Sequence, residues 1–178
     1  MDPSFFLPKE GDVNKETNYQ VHVTPENAFI RVFQKASYMN CGPLRSFFHE
    51  CVRAGRRNYV VDFQECSSMD STFLGILVAL AMQLRKVEDE GCLTLVNLTG
   101  RNLETVRNLG IHKIAEINSN ELSPEDDLGE LERSGEGESV SSETIYQAHK
   151  TLMDLNEKNA RMFSDVVAFL EREKEHSA

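Results

Sequence analysis

Apolar positions along this chain change period from one stretch to the next, and the changes mark out elements. NYQVHV (18–23) and AFIRVFQ (28–34) are short strand-like runs separated by TPEN, a turn composition, which predicts an antiparallel pair. GPLRSFFHECVRAG (42–55) spaces Leu44, Phe47, Phe48, Cys51 and Val52 as one helical face, with Pro43 at an early helix position and Gly55 as the stop. NYVVDF (58–63) is a largely apolar strand of the kind covered on both faces. The stretch 70–91 is helical by length, with late charges and Gly91 at its end. CLTLVNL (92–98) is then a strand, NLETVRNLG (102–110) a helix, and HKIAEI (112–117) a last short strand. The order β-β-α-β-α-β-α-β predicts an α/β fold, a mainly parallel sheet with the opening hairpin at one side.

Beyond residue 118 the pattern changes. Between Ser119 and Val140, eight acids face one base, Arg133, and the segment reads as a solvated linker. One long helix is expected from Ser142 to about Lys174. In it Ile145, Ala148, Leu152, Leu155, Asn159, Met162, Val166 and Phe169 alternate steps of three and four, a heptad seam with a polar residue in its middle. Phe163, Val167 and Leu170 widen the stripe, so two outcomes stay open: packing on the chain's own domain, or a coiled coil that makes a homo-oligomer. The organisation expected is a tail (1–17), a domain (18–118), the acidic linker (119–140) and the amphipathic helix (141–178).

Composition narrows the function. A formal charge of -10 gives no clustered cations for nucleic acid or an anionic membrane. The longest apolar run, Phe73 to Leu84, is about a dozen residues, short of the roughly 20 that span a bilayer. MDPSFFLPKEGD has no basic start or long apolar stretch, and Cys41, Cys51, Cys66 and Cys92 form no CxxC pair; a cytoplasmic chain with reduced thiols is expected. No phosphate loop, GxGxxG or GxSxG is present, and His22, His49, His112, His149 and His176 are scattered over different elements. Neither an enzyme nor a metal or cofactor site is expected.

One stretch resists a bland explanation. SSMDSTFLG (67–75) places five polar residues among the six from Ser67 to Thr72, between two apolar elements. Asp70 or Ser71 accounts for a helix cap, but one cap needs one residue. A loop at the C-terminal edge of a parallel sheet is the usual ligand side of such folds. A serine hydroxyl at that helix start is expected to be exposed, and a phosphate there would face the positive end of the helix dipole. Asp62, in mid-strand, reads either as a buried carboxylate satisfied by loop N–H groups or as a partner contact.

The strand aspartate Asp62, followed by Met69, Asp70, Ser71, Thr72, Leu74 and Gly75 opening a helix, resembles the STAS domain of bacterial anti-sigma-factor antagonists. Gly91, the strand LTLVNL, and Val106, Leu109, Gly110 and Ile111 follow the same plan, so the resemblance covers about 18–118. It implies a STAS-like mixed sheet with an N-terminal hairpin and covering helices, to which the long C-terminal helix is added. It further implies that Ser71 is phosphorylated by a partner that is both serine kinase and anti-sigma factor, that a phosphatase reverses this, and that only the unmodified domain binds the partner. Thr72 would be a secondary acceptor. Asp62, Ser67, Ser68, Met69, Asp70, Leu74 and Gly75 would shape the partner-binding loop, with Asp70 holding it and Gly75 allowing close helix packing. KASYMNCGPLRSFF departs from the family's usual lead into the first helix, and no compact final helix is evident after Ile117. The competing readings are an unphosphorylated STAS scaffold or oligomerisation module, and an accessory subunit of a transporter.

Overall fold

The computed structural model describes residues 18–86, 91–119, 127–131 and 139–178. The N-terminal tail and most of the acidic linker lie outside the described residues. Five strands come from the apolar runs or their ends: β1 (Tyr19–Val23), β2 (Asn27–Val32), β4 (Asn58–Asp62), β6 (Cys92–Val96) and β7 (Glu116–Asn118). Three short ones were not anticipated: β3 (Gln34–Ala36), β5 (Cys66–Met69) and β8 (Gly129–Glu130). The helices are α1 (Gly42–Arg53), α2 (Ser71–Arg85), α3 (Gly100–Asn108), α4 (Ser142–Leu155) and α5 (Glu157–Ser177).

The main sheet runs β7-β6-β4-β2-β1-β8, with β2, β4, β6 and β7 parallel and β1 antiparallel to both β2 and β8. Register explains the core. Val21, Ile30, Val61 and Leu95 stand in one row across four strands, and Ala28, Tyr59 and Leu93 in another. All seven are buried in a single cluster with Leu44 and Phe47 of α1, Leu77 of α2, Val106 of α3 and Leu152 of α4. Alternation along a strand sends the intervening residues to the other face, where Phe29 and Thr94 flank a half-buried Val60. The expectation that β4 is covered alike on both faces is therefore corrected: its helix-covered face carries Tyr59 and Val61, and Val60 points away from them.

Two sequence expectations change at the ends of the domain. HKIAEI splits into a single 3-10 turn, Ile111–Lys113, and then β7, because Gly110 takes a left-handed φ of 78° after α3 and turns the chain before it extends. The acidic linker is not wholly solvated, since Gly129 and Glu130 add an edge strand against Val21 and Gln20.

The expected single C-terminal helix is two. Asn156 is extended (φ -162°, ψ 166°), ends α4, and caps α5 by accepting from the Asn159 N–H at 2.9 Å. Glu143 meets Lys174 at 2.6 Å and the Tyr146 hydroxyl donates to Glu171, so the two helices fold back as an antiparallel hairpin. The break resets the helical phase. On α4, Ala148 and Leu152 are buried and Ile145 and Leu155 half-buried; on α5 the inward residues become Asn159, Phe163, Val167 and Leu170. Met162, Val166 and Phe169 are 51 %, 41 % and 55 % exposed. The seam read from the sequence is thus one buried surface only as far as Asn159.

The buried thiols make a first test. Burial pushes Cys41 up to about 12 and Cys51 up to about 11, from an ordinary 9.0. The folded chain then holds protons that the unfolded chain releases as pH climbs above 9.0, so stability is full below that pH and falls as it rises towards 11. Urea titrations at pH 8 and pH 10 are expected to show a lower midpoint at pH 10, and iodoacetamide is expected to modify these two thiols only on unfolding.

Candidate functional site

The polar stretch at 67–75 is built in layers. β5 pairs in parallel with β3, Lys35 opposite Ser68 and Ala36 opposite Met69, and the Asp70 N–H donates to the Ala36 carbonyl at 3.0 Å. The serines read as loop are thus partly a two-stranded ladder, with Ser67 exposed and Ser68 and Met69 half-buried. Asp70 is the N-cap of α2: Oδ1 accepts from the Phe73 N–H at 2.9 Å, and Oδ2 accepts from the Tyr38 N–H at 2.8 Å. One carboxylate therefore ties the start of α2 to the loop before α1.

Asp62 is fully buried at the C-terminal end of β4. Its Oδ2 accepts from Arg31 Nε at 2.9 Å, and Oδ1 accepts from the Gln64 N–H at 2.9 Å and Asn97 Nδ2 at 2.8 Å. Three donors on a carboxylate at this depth offset its desolvation and pin the turn that leads into β5. Of its two sequence readings, the geometry favours the buried anchor.

Ser71 is the first residue of α2, and it is half-buried rather than exposed. Its Oγ lies 2.8 Å from Nε2 of His149, on α4. The other ring nitrogen, Nδ1, is 2.8 Å from the Ile145 carbonyl, which can only accept, so Nδ1 carries a hydrogen. In the neutral ring Nε2 is then the acceptor, and the Ser71 hydroxyl donates to it. The imidazole is buried and meets Phe163 of α5 edge-on, with centroids 5.7 Å apart. Sequence reasoning missed this residue. Ser71 and His149 are 78 positions apart, and only the fold-back of the hairpin brings them together.

Gly75, one turn into α2, explains how close α4 comes. A Cβ there would stand 2.7 Å from the Ala148 Cα and would also overlap the Ala148 carbonyl. Thr72 (3 % exposed) and Leu74 (1 %) lie inside, so neither a secondary hydroxyl nor Leu74 is presented at the surface. At the far end of the hairpin, Asn156 and Asn159 both donate to the Leu109 carbonyl at the end of α3, at 3.1 and 2.9 Å. Asn159 is wholly buried, and its Oδ1 has no hydrogen-bond partner among the described residues.

No thiolate stands ready beside the site, because burial, and next the Asp70 carboxylate, push Cys41 up to about 12 and burial pushes Cys66 up to about 11. Among the described residues no group of three His, Cys, Asp or Glu side chains converges to hold a metal. What the geometry offers is one hydroxyl at a helix start, braced by Asp70 and covered by His149.

Two substitutions test these roles. Asp70→Ala removes the cap and the tie to Tyr38 together and is expected to lower stability by about 1–3 kcal/mol in urea unfolding. Gly75→Ala sets a methyl group against the α4 backbone; an overpacking cost of about 1–3 kcal/mol is expected, with amide exchange rising in α4 before it rises in β4.

Residues 21–117 match the family model described as "Mlab, STAS domain". No curated protein matches the chain. Among solved structures, an anti-sigma factor antagonist from Mycobacterium paratuberculosis is similar at 15 % identity and a TM-score of 0.51, over 59 % of this chain and 87 % of that one. The anti-sigma factor antagonist SpoIIAA in its unphosphorylated form is similar at 21 % identity and 0.49, over 58 % and 89 %. The Bacillus cell fate determinant SpoIIAA in the phosphorylated form is similar at 20 % and 0.48, over 57 % and 92 %. The mixed sheet with its N-terminal hairpin, the capped helix after the strand aspartate, and a family match over more than half of the chain lead to one conclusion: the chain belongs to the STAS domain family.

Proposed function

We propose that this STAS domain is a phospho-switchable protein-binding module acting as an anti-sigma-factor antagonist. In this reading it binds a serine-kinase anti-sigma factor while Ser71 is unmodified, and is released when Ser71 is phosphorylated. The observation that carries it is the position of Ser71: first residue of α2, next to the capping Asp70, within the MDSTFLG string. Resemblance supplies the partner class, and the neighbours named as anti-sigma factor antagonists agree with it at the level of fold.

The energetics favour release. A phosphate adds about -1.5 to -2 charges at neutral pH. The free domain recovers about 0.3–1 kcal/mol of this from the α2 dipole. Burying an imperfectly paired dianion against a docked protein, beside the Asp70 carboxylate, costs several kcal/mol. The difference weakens the complex and leaves the fold intact. A phosphatase would restore binding.

A second reading, an oligomerisation or scaffold module, has one observation in its favour. Met162, Val166 and Phe169 form an exposed apolar stripe on α5. Light scattering on the full chain discriminates: a homo-oligomer that Val166→Glu converts to monomer supports the stripe as an interface, and a wild-type monomer removes that reading.

For the switch, the expected outcome in pull-downs with the serine-kinase anti-sigma factor is retention by Ser71→Ala and loss of at least tenfold in affinity for Ser71→Asp. Mass spectrometry of the wild-type chain after incubation with kinase and ATP is expected to find phosphate on Ser71. Equal binding by both variants would remove the mechanism.

A further inference from the structure

We propose that the α4–α5 hairpin is an autoinhibitory cover over Ser71, such that a docked hairpin and a phosphate on Ser71 exclude one another. The biological meaning rests on the switch proposed above; the steric exclusion does not.

Contacts at both ends and in the middle of the hairpin define the docked state. The His149 ring stands at hydrogen-bond distance from Oγ itself, on the side of the hydroxyl that α4 covers. The ring is held from two sides, by its Nδ1 bond to Ile145 and by the edge-on Phe163. Its distance from α2 is set by Ala148, whose backbone lies where a Cβ on residue 75 would be. The distal end is held by Asn156 and Asn159 on the Leu109 carbonyl.

Phosphorylation changes the first contact in kind. A nucleoside triphosphate held by the kinase gives up its γ-phosphoryl group; the P–Oγ bond forms, the bond from phosphorus to the leaving diphosphate breaks, and the serine proton passes to a base of the kinase. Oγ then has no hydrogen to donate, and a phosphorus with three oxygens must fit where 2.8 Å now separates Oγ from Nε2. The close Gly75–Ala148 approach sets α4 at this distance, so room for the phosphate beside the His149 ring requires α4 to move away. The same geometry keeps an incoming kinase from the unmodified hydroxyl until the hairpin lifts.

Release has a cost and a return. It uncovers Leu152, wholly buried in the core cluster, and the α2 face that α4 covers, while the polar contacts regain partners in water and Asn159 Oδ1 leaves a buried position where it has no hydrogen-bond partner among the described residues. Release frees that atom.

The test uses the full chain with phosphoserine installed at position 71 during translation, compared with the unmodified chain by hydrogen exchange and mass spectrometry. Expected is a loss of protection of about tenfold or more across α4 on phosphorylation, with β4 and β6 unchanged. His149→Ala in the phosphoserine chain opens the space and is expected to bring α4 back to within about threefold of the unmodified protein. Equal α4 protection with and without phosphate would overturn the proposal. So would loss of protection in β4 and β6 together with α4, or a phosphoserine chain whose α4 stays open after His149→Ala. A chain in which no kinase modifies Ser71 would sink the switch of the preceding section, while these exchange rates would still decide the exclusion.

Discussion

A helix that is apolar nearly all the way round cannot leave any long side to water, and α2 is such a helix. Thr72 to Val78 are buried without a gap, as are Leu80, Ala81 and Leu84. A sheet covers one side of a helix only, so a second cover is required. In this chain α4 supplies it. From that one constraint follow the fold-back of the C-terminal segment, the close approach at Gly75, and the placement of His149 over Ser71.

Around that packed helix the polar groups are arranged to hold its start still. Asp70 bonds to both the helix and the loop before α1, and Asp62 is bonded from three directions at the end of β4. A hydroxyl fixed in this way is well placed for recognition, since little ordering remains to be lost when another protein engages it. In the proposed switch, the hairpin would compete with the partner for this surface. Its hold combines apolar packing, with Leu152 wholly buried in the core cluster, and hydrogen bonds to Ser71 and Leu109 at either end.

Much of the fold was legible along the chain. The strand runs and helical faces from Tyr19 to Asn108 lie where alternation and 3.6-residue spacing place them, because local geometry dictates those periods. The short strands were not legible: β3, β5 and β8 have two to four residues each, and nothing in KA, SSM or GE distinguishes a ladder from a loop. At the site, the capping role of Asp70 was one of two choices that the cap preference allowed, Asp70 or Ser71, and the structure takes Asp70. Exposure of Ser71 was misread, because its cover comes from 78 residues away.

The sequence by itself determined the longer strands and helices of the domain, their order, the family and the presence of a hydroxyl at a helix start, since each depends on neighbours within a few turns of chain. Only the tertiary structure decided that the C-terminal heptad pattern breaks at Asn156, folds back and sets an imidazole on that hydroxyl. A run of apolar residues states that a surface must be buried; which surface buries it is a matter of shape, and shape is settled where Gly75 lets a backbone come close and Leu109 offers a carbonyl to two asparagines.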